Sequence, residues 1–221
     1  GHQLDVGHAE PDQVVEALTD RPGEGSEPRP VLESHGAYVF GVLLAARPIP
    51  NEDRVEYLEV DVVATPTVLV TVRKIPGGGT APFDLSVLQP AVDGAASPGV
   101  LIHRLADEVA DSFVDSVDAT YAEIEELEDA LDTWPPSRVR MRISALRHEL
   151  LLSRRMIGAT RGAVRRVVDG RIDVGDHALF PADVERLFAE TYDTLVRTTE
   201  ELDIARGLVA GPDRSVADEK L

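Results

Sequence analysis

Hydrophobic and polar positions follow two different periods along this chain, and the period changes at Pro98. Before it, short apolar runs sit between proline- and glycine-rich breaks. Pro11 to Leu18 (PDQVVEAL) predicts a short helix, with Pro and acids early and Val14, Val15 and Leu18 at helical spacing. Ala37 to Ala46 (AYVFGVLLAA) is apolar throughout, the pattern of a strand buried on both faces. Val55 to Val63 (VEYLEVDVV) alternates. Val55, Tyr57, charged Asp61 and Val63 fall on one face, and Glu56, Leu58, Val60 and Val62 on the other. Thr67 to Val72 is β-branched and apolar, and the Ala64–Pro66 turn before it predicts a hairpin. Phe83 to Val92 reads as a further short helix.

After Pro98 the spacing becomes helical. Ala106, Ala110, Phe113, Val117, Thr120, Ile124, Leu127, Leu131 and Trp134 step by alternating threes and fours, a heptad seam. Pro135-Pro136 ends that helix. A second seam follows at once: Val139, Ile143, Leu146, Leu150, Ser153, Ile157, Thr160, Val164 and Val167. The short break predicts an antiparallel helical hairpin, each arm about 50 Å long at about 1.5 Å per residue. A third helix is predicted from Pro181 to Ala210, with Val184, Phe188, Thr191, Leu195, Leu202 and Val209 on one face. The fold class is therefore α+β: an α/β/α-type domain with a small, mostly antiparallel sheet, then long antiparallel helices leading to a stalk helix. The domain division is 1–97, 98–170 and 171–221.

Charge is sorted between the arms. Leu105 to Ser137 holds eleven acids and no Lys or Arg, whereas Arg138 to Arg171 holds ten Arg and two acids. Arg140, Arg147, Arg154 and Arg161 repeat every seven residues beside their seam. Asp111, Asp118, Glu125 and Asp132 repeat likewise, but further round their helix, on its outward side. The simplest expectation for the Arg stripe is that it pairs with the oppositely charged arm, whereas the outward acidic stripe is a solvated face, a partner surface or a cation-attracting surface.

Composition narrows the function. With 43 % hydrophobic and 28 % charged residues, the 221-residue chain can bury a core. A net charge of −18 argues against a nucleic-acid partner and favours cations. The absence of cysteine removes disulfides, thiolate metal sites and thiol nucleophiles. The longest apolar stretch, Gly36 to Ala46, is eleven residues, against about 20 for a membrane span. No enzyme motif stands up. Gly77-Gly78-Gly79 lacks the spacing of a phosphate loop, and His148-Glu149 has Leu152 where a zinc motif needs His. His103 reads as a core-edge or surface histidine. Plentiful carboxylates suit Mg²⁺ or Ca²⁺, hard cations that prefer oxygen.

The order of elements resembles a family. Arg29-Pro30-Val31-Leu32-Glu33 followed by Tyr38-Val39-Phe40-Gly41-Val42-Leu43-Leu44 resembles a stretch of the CorA-type magnesium transporters, and Glu59 to Lys74 is similar to their next strand pair. Pro98 to Ile102, with Asp107, Asp111 and Ser112-Phe113, looks like the start of their first long helix. Ile124 to Asp129, Arg147 to Arg155 and Glu201 to Leu208 resemble later segments. The likeness runs from about Pro11 to Leu221.

The resemblance implies the cytoplasmic regulatory domain of a CorA-like divalent cation transporter, not an enzyme. The full-length protein would be a homopentamer in the cell membrane. This chain would reach the membrane only through C-terminal segments that lie beyond it. The implied ion is Mg²⁺, with Co²⁺ or Zn²⁺ (the ZntB-like branch) as the other candidates, transported or regulatory. Divalent cations bound between subunits would hold the pore closed. The implied metal residues are Glu16, Asp107 and Asp111, with Asp183 and Glu185 beside Arg186, which occupies the position matching the family's third acid. Two other readings stand beside this one: a free-standing helical-hairpin scaffold that binds a partner, and a hydrolase using a carboxylate-bound metal.

Overall fold

The computed structural model describes residues 28–49, 54–75, 80–172, 174 and 178–210. Four strands, β1 (Val31–Ser34), β2 (Val39–Pro48), β3 (Val55–Ala64) and β4 (Leu69–Arg73), form one antiparallel sheet in chain order. The β1–β2 turn passes through Gly36 at φ +76°, a conformation that a side chain would strain. The β3–β4 turn is closed by Thr65, whose N–H donates to the Val68 carbonyl while its hydroxyl accepts from the Val68 N–H. The expected hairpin is thus present. The apolar run makes its strand two residues further on than the sequence suggested, at Val39–Pro48. Strand β1 was not anticipated, because four residues ending in Glu-Ser carry little pattern.

The pleat sorts the sheet into two faces. Leu32, Val39, Leu43, Val60, Val62 and Ala64 share one face and are fully buried, in a single apolar cluster that continues through the helices. Phe40 and Val42 lie on the other face, packed by Val31, Tyr38 and Val63. Asp61 lies beside them, 0 % exposed, with Lys74 Nζ 3.3 Å from its Oδ2 and Glu59 next along the strand. Burial pushes the Asp61 carboxyl up, and the Lys74 ammonium opposes that push.

A 3-10 turn (Leu85–Leu88) runs into the short helix α1 (Gln89–Asp93), capped by Asp84, whose carboxylate accepts from Ser86 N–H at 2.9 Å. Three long helices follow: α2 (Pro98–Ala130), α3 (Pro136–Val168) and α4 (Ala182–Ala210). Each begins where the sequence put it. Ser97 and Pro98 open α2, and Pro135-Pro136 separates α2 from α3. Trp134 at that turn is covered by the Arg138 guanidinium, 3.7 Å above its ring.

The packing differs from a simple hairpin. Helix α4 runs parallel to α2, with Tyr121 donating to the Glu201 carbonyl at 2.9 Å. It runs antiparallel to α3, with Arg147 donating to the Val209 carbonyl at 3.0 Å. It touches each arm more extensively than the arms touch each other. Every residue of the α3 seam is buried, as is every residue expected on the α4 face. The α2 seam is buried at Ala106, Ala110, Phe113, Val117, Ile124 and Leu127, but Leu131 is 44 % exposed. Near its N-terminus α2 also buries Ile102, Leu105 and Val109, and Ser112 accepts from the Ala46 N–H of β2 at 2.9 Å. A two-sided environment, sheet and α4, widens the buried arc beyond one heptad seam.

The expectation that the Arg stripe pairs α3 with the acidic arm is corrected. Arg147 and Arg154 reach α4 instead, because α4 occupies the groove beside the α3 seam. The contact between the arms runs through Arg142, outside the stripe, which pairs with Glu123 and Glu126. The Asp111, Asp118, Glu125 and Asp132 stripe is exposed, as its offset predicted. No helix among the described residues is long and apolar enough to cross a membrane.

Candidate divalent cation site

Carboxylates converge on one face of α2. Asp107, Asp111 and Asp115 are spaced four apart and so lie one helical turn from one another, with Glu108 alongside. Ala106, Ala110 and Phe113 face the core from the other side of the same turns, which leaves the acids at the surface. Asp84, at the cap before α1, adds a further negative charge near Glu108. The Glu108 carboxyl is held above the ordinary range, first by partial burial, then by Asp111, Asp107, Asp115 and Asp84. Asp111 is raised by partial burial and then by Asp107 and Asp115. These groups resist being charged together, which is the condition a divalent cation relieves.

Asp107 is the most firmly held of them. Its Oδ1 accepts from the Thr191 hydroxyl of α4 at 3.0 Å. Thr191 is fully buried, and its Oγ1 also lies 3.2 Å from Nε2 of His103. The imidazole packs edge-on against Phe188, centroids 5.3 Å apart, and burial lowers its pKa. His103 is thus a buried core-edge residue.

The remaining sequence candidates lie elsewhere. Asp183 and Glu185 occupy the first turn of α4, where acids suit the helix dipole. Eight residues separate Asp183 from Thr191, about 12 Å along the helix. Glu185 Oε1 lies instead by Gly170, just past the end of α3. Arg186 is exposed on the same turn. The structure therefore brings Asp107 and Asp111 together but not Asp183 and Glu185 with them. Glu16 lies outside the described residues, as do the Pro11–Leu18 helix and Gly77-Gly78-Gly79. No group of three or more His, Cys, Asp or Glu able to hold a metal is formed among the described residues. The acids of α2 fit a hard cation by donor chemistry, with further ligands required from water or from another chain.

Glu108, Asp115, Asp84, Thr191 and His103 were not singled out as site residues from the sequence. The spacing of Asp107, Asp111 and Asp115 was the available signal for the acids. Nothing in the sequence places Thr191 beside Asp107.

The fold matches that of the soluble domain of CorA and of the ZntB cytoplasmic domain. The soluble domain of CorA from Methanocaldococcus jannaschii superposes with a TM-score of 0.64 at 14 % identity, covering 83 % of this chain and 71 % of that one. The ZntB cytoplasmic domain from Vibrio parahaemolyticus gives 0.68 at 15 %, covering 95 % and 79 %. The complete CorA magnesium transporter from Methanocaldococcus jannaschii gives 0.69 at 16 %, covering 86 % of this chain and 59 % of that one. No curated protein matches. Residues 21–211 match the CorA-like Mg2+ transporter protein family, and the chain belongs to that family.

Proposed function

We propose that this chain is the part of a CorA-like transporter that senses divalent cations on the cytoplasmic side and gates the pore. What supports the reading is the column of mutually repelling acids on α2, where Glu108 and Asp111 are held above the ordinary carboxylate range by partial burial and by the neighbouring aspartates. A cation bridging Asp107 or Asp111 to a ligand on a second subunit relieves that repulsion and draws the subunits together. Withdrawal of the ion restores it, so occupancy shifts a closed–open equilibrium by its differential affinity for the two states. Mg²⁺ is the ion proposed first, with Co²⁺ and Zn²⁺ as alternatives, and a homopentamer is the assembly. In this scheme residues 1–97 form the α/β subdomain, 98–170 the helical hairpin and 171–221 the start of the stalk that leads towards the membrane. Glu16, Asp183 and Glu185 are proposed as contributors from neighbouring elements or copies.

The test is thermal unfolding of the chain in millimolar MgCl₂ against NaCl of equal ionic strength. A ligand at ten times its Kd stabilises the folded state by about 1.4 kcal/mol, which is about 3–5 °C for a chain of this size. Mg²⁺ is expected to raise Tm beyond NaCl, and Asp107→Asn or Asp111→Asn to reduce the difference. Equal responses to the two salts would leave only screening and would overturn the reading.

A further inference from the structure

Thr191 offers one hydroxyl hydrogen and is bordered by three groups that could engage it. Asp107 Oδ1 stands at 3.0 Å, His103 Nε2 at 3.2 Å and the Leu187 carbonyl at 3.5 Å. A carboxylate is the strongest and nearest acceptor, so the hydroxyl donates to Asp107. Its lone pairs then face the imidazole, whose Nε2–H has both the Thr191 oxygen and the Leu187 carbonyl as acceptors, and the two together fix the proton of His103 on Nε2. Nδ1 of that ring is buried and has no hydrogen-bond partner, as this tautomer leaves it. The ring is 6 % exposed and wedged against Phe188, so it has little freedom to turn. A directed chain results, from His103 through Thr191 to Asp107, and it crosses from α2 to α4 and back. It occupies Oδ1 of Asp107, while Oδ2 takes no hydrogen bond among the described residues.

We propose that Thr191, held by His103, is a positioning residue for Asp107: it turns the carboxylate so that one oxygen faces the acid column, and it makes α4 feel whether that column holds a divalent cation. The inference rests on the cation-sensing reading. A ligand's hydrogen-bonded support is commonly worth about 10–100-fold in metal affinity, because an unsupported carboxylate must be ordered at the moment of binding. Helix α4 is the element best placed to respond, since it packs along both arms and is bonded at its far end by Arg147 through the Val209 carbonyl.

The experiment is a MgCl₂ titration of Tm, at constant ionic strength, for the wild-type chain and three variants. Thr191→Val keeps the side-chain shape and removes the hydroxyl, and is expected to weaken the apparent Mg²⁺ affinity about tenfold. Thr191→Ser restores the donor and is expected to return within about twofold of wild type. Thr198→Val is the control, because among the described residues the Thr198 hydroxyl is bonded within its own helix, to the Thr194 carbonyl. It is expected to change the metal-free Tm and leave the Mg²⁺ dependence alone. A second measurement needs no variant: ¹⁵N NMR of His103 in the intact chain is expected to report the Nε2–H tautomer, with its Nε2 shift moving on Mg²⁺ saturation. A wild-type chain with no Mg²⁺-specific response overturns the cation-sensing reading, and this inference with it. A wild-type response that Thr191→Val leaves unchanged, an equal loss in Thr198→Val, or a Nδ1–H tautomer overturns this inference alone.

Discussion

Arg154 on α3 holds Asp203 on α4, with Nε 2.9 Å from Oδ1 and Nη2 3.3 Å from Oδ2. Arg206 approaches the same carboxylate at 2.9 Å. Slight desolvation pushes the Asp203 carboxyl up, but hydrogen bonds from Arg206 and Arg154 outweigh it and the group lies below its ordinary value. Two of the four heptad arginines, Arg147 and Arg154, therefore orient α4 rather than pair α3 with α2.

That relationship predicts a specific pattern of coupling. Both side chains are roughly half exposed, so the pair is expected to contribute about 0.2–1 kcal/mol in a double-mutant cycle of Arg154→Ala with Asp203→Ala. Arg154→Ala with Glu125→Ala is expected to be additive, since the stripe does not meet the acidic arm. Denaturant unfolding of the four combinations measures both. The coupling should fade in 1 M salt, where the Debye length is about 3 Å.

The acid column predicts stabilisation by removing charge. Asp111→Asn or Glu108→Gln should raise stability at neutral pH and low salt by about 0.3–0.5 kcal/mol, or about 1–2 °C in Tm. The sign with pH follows from the raised folded-state values. Such groups bind more protons folded than unfolded, so their unfavourable contribution at neutral pH eases as pH falls through the raised values toward the ordinary carboxylate pKa. His103 works the other way. Its depressed pKa removes stability as pH falls below the unfolded value of about 6.5. Comparing each variant with wild type across pH 7 to 5 isolates the acids, and their advantage should shrink toward pH 5. An advantage that grows on acidification would contradict the repulsion argument.

Gly99 predicts the cost of disturbing the α2–α4 register. A Cβ there would collide with the Leu179 carbonyl oxygen, a backbone atom that cannot swing aside. Gly99→Ala is expected to destabilise by about 1–3 kcal/mol despite the gain in helix propensity, seen as a fall of about 3–10 °C in a melting scan. The same contact lies two turns before Asp107, so the variant should also blunt any Mg²⁺-dependent shift. An unchanged Tm would mean that the approach relaxes without cost.

The sequence by itself determined the elements and much of their burial. Proline at 98 and at 135–136 fixes helix ends chemically, and a 3.5-residue apolar period leaves one face to bury. The α3 seam from Val139 to Val167 was therefore legible in full. The acidic column was legible only in part: i and i+4 spacing puts Asp107, Asp111 and Asp115 on one face, but the sequence singled out only Asp107 and Asp111. Tertiary structure decided what each face meets. A period says that a stripe is buried but not against what, so it could not place α4 between the arms or send Arg147 and Arg154 to it. It could not show that α2 buries a second stripe against the sheet. Nor could it bring Thr191 to Asp107 across 84 positions of sequence, since a hydrogen bond between two helices depends on their relative rotation and axial offset. Those are set by packed volume, here by Phe188 against His103 and by the close approach of Gly99 to Leu179.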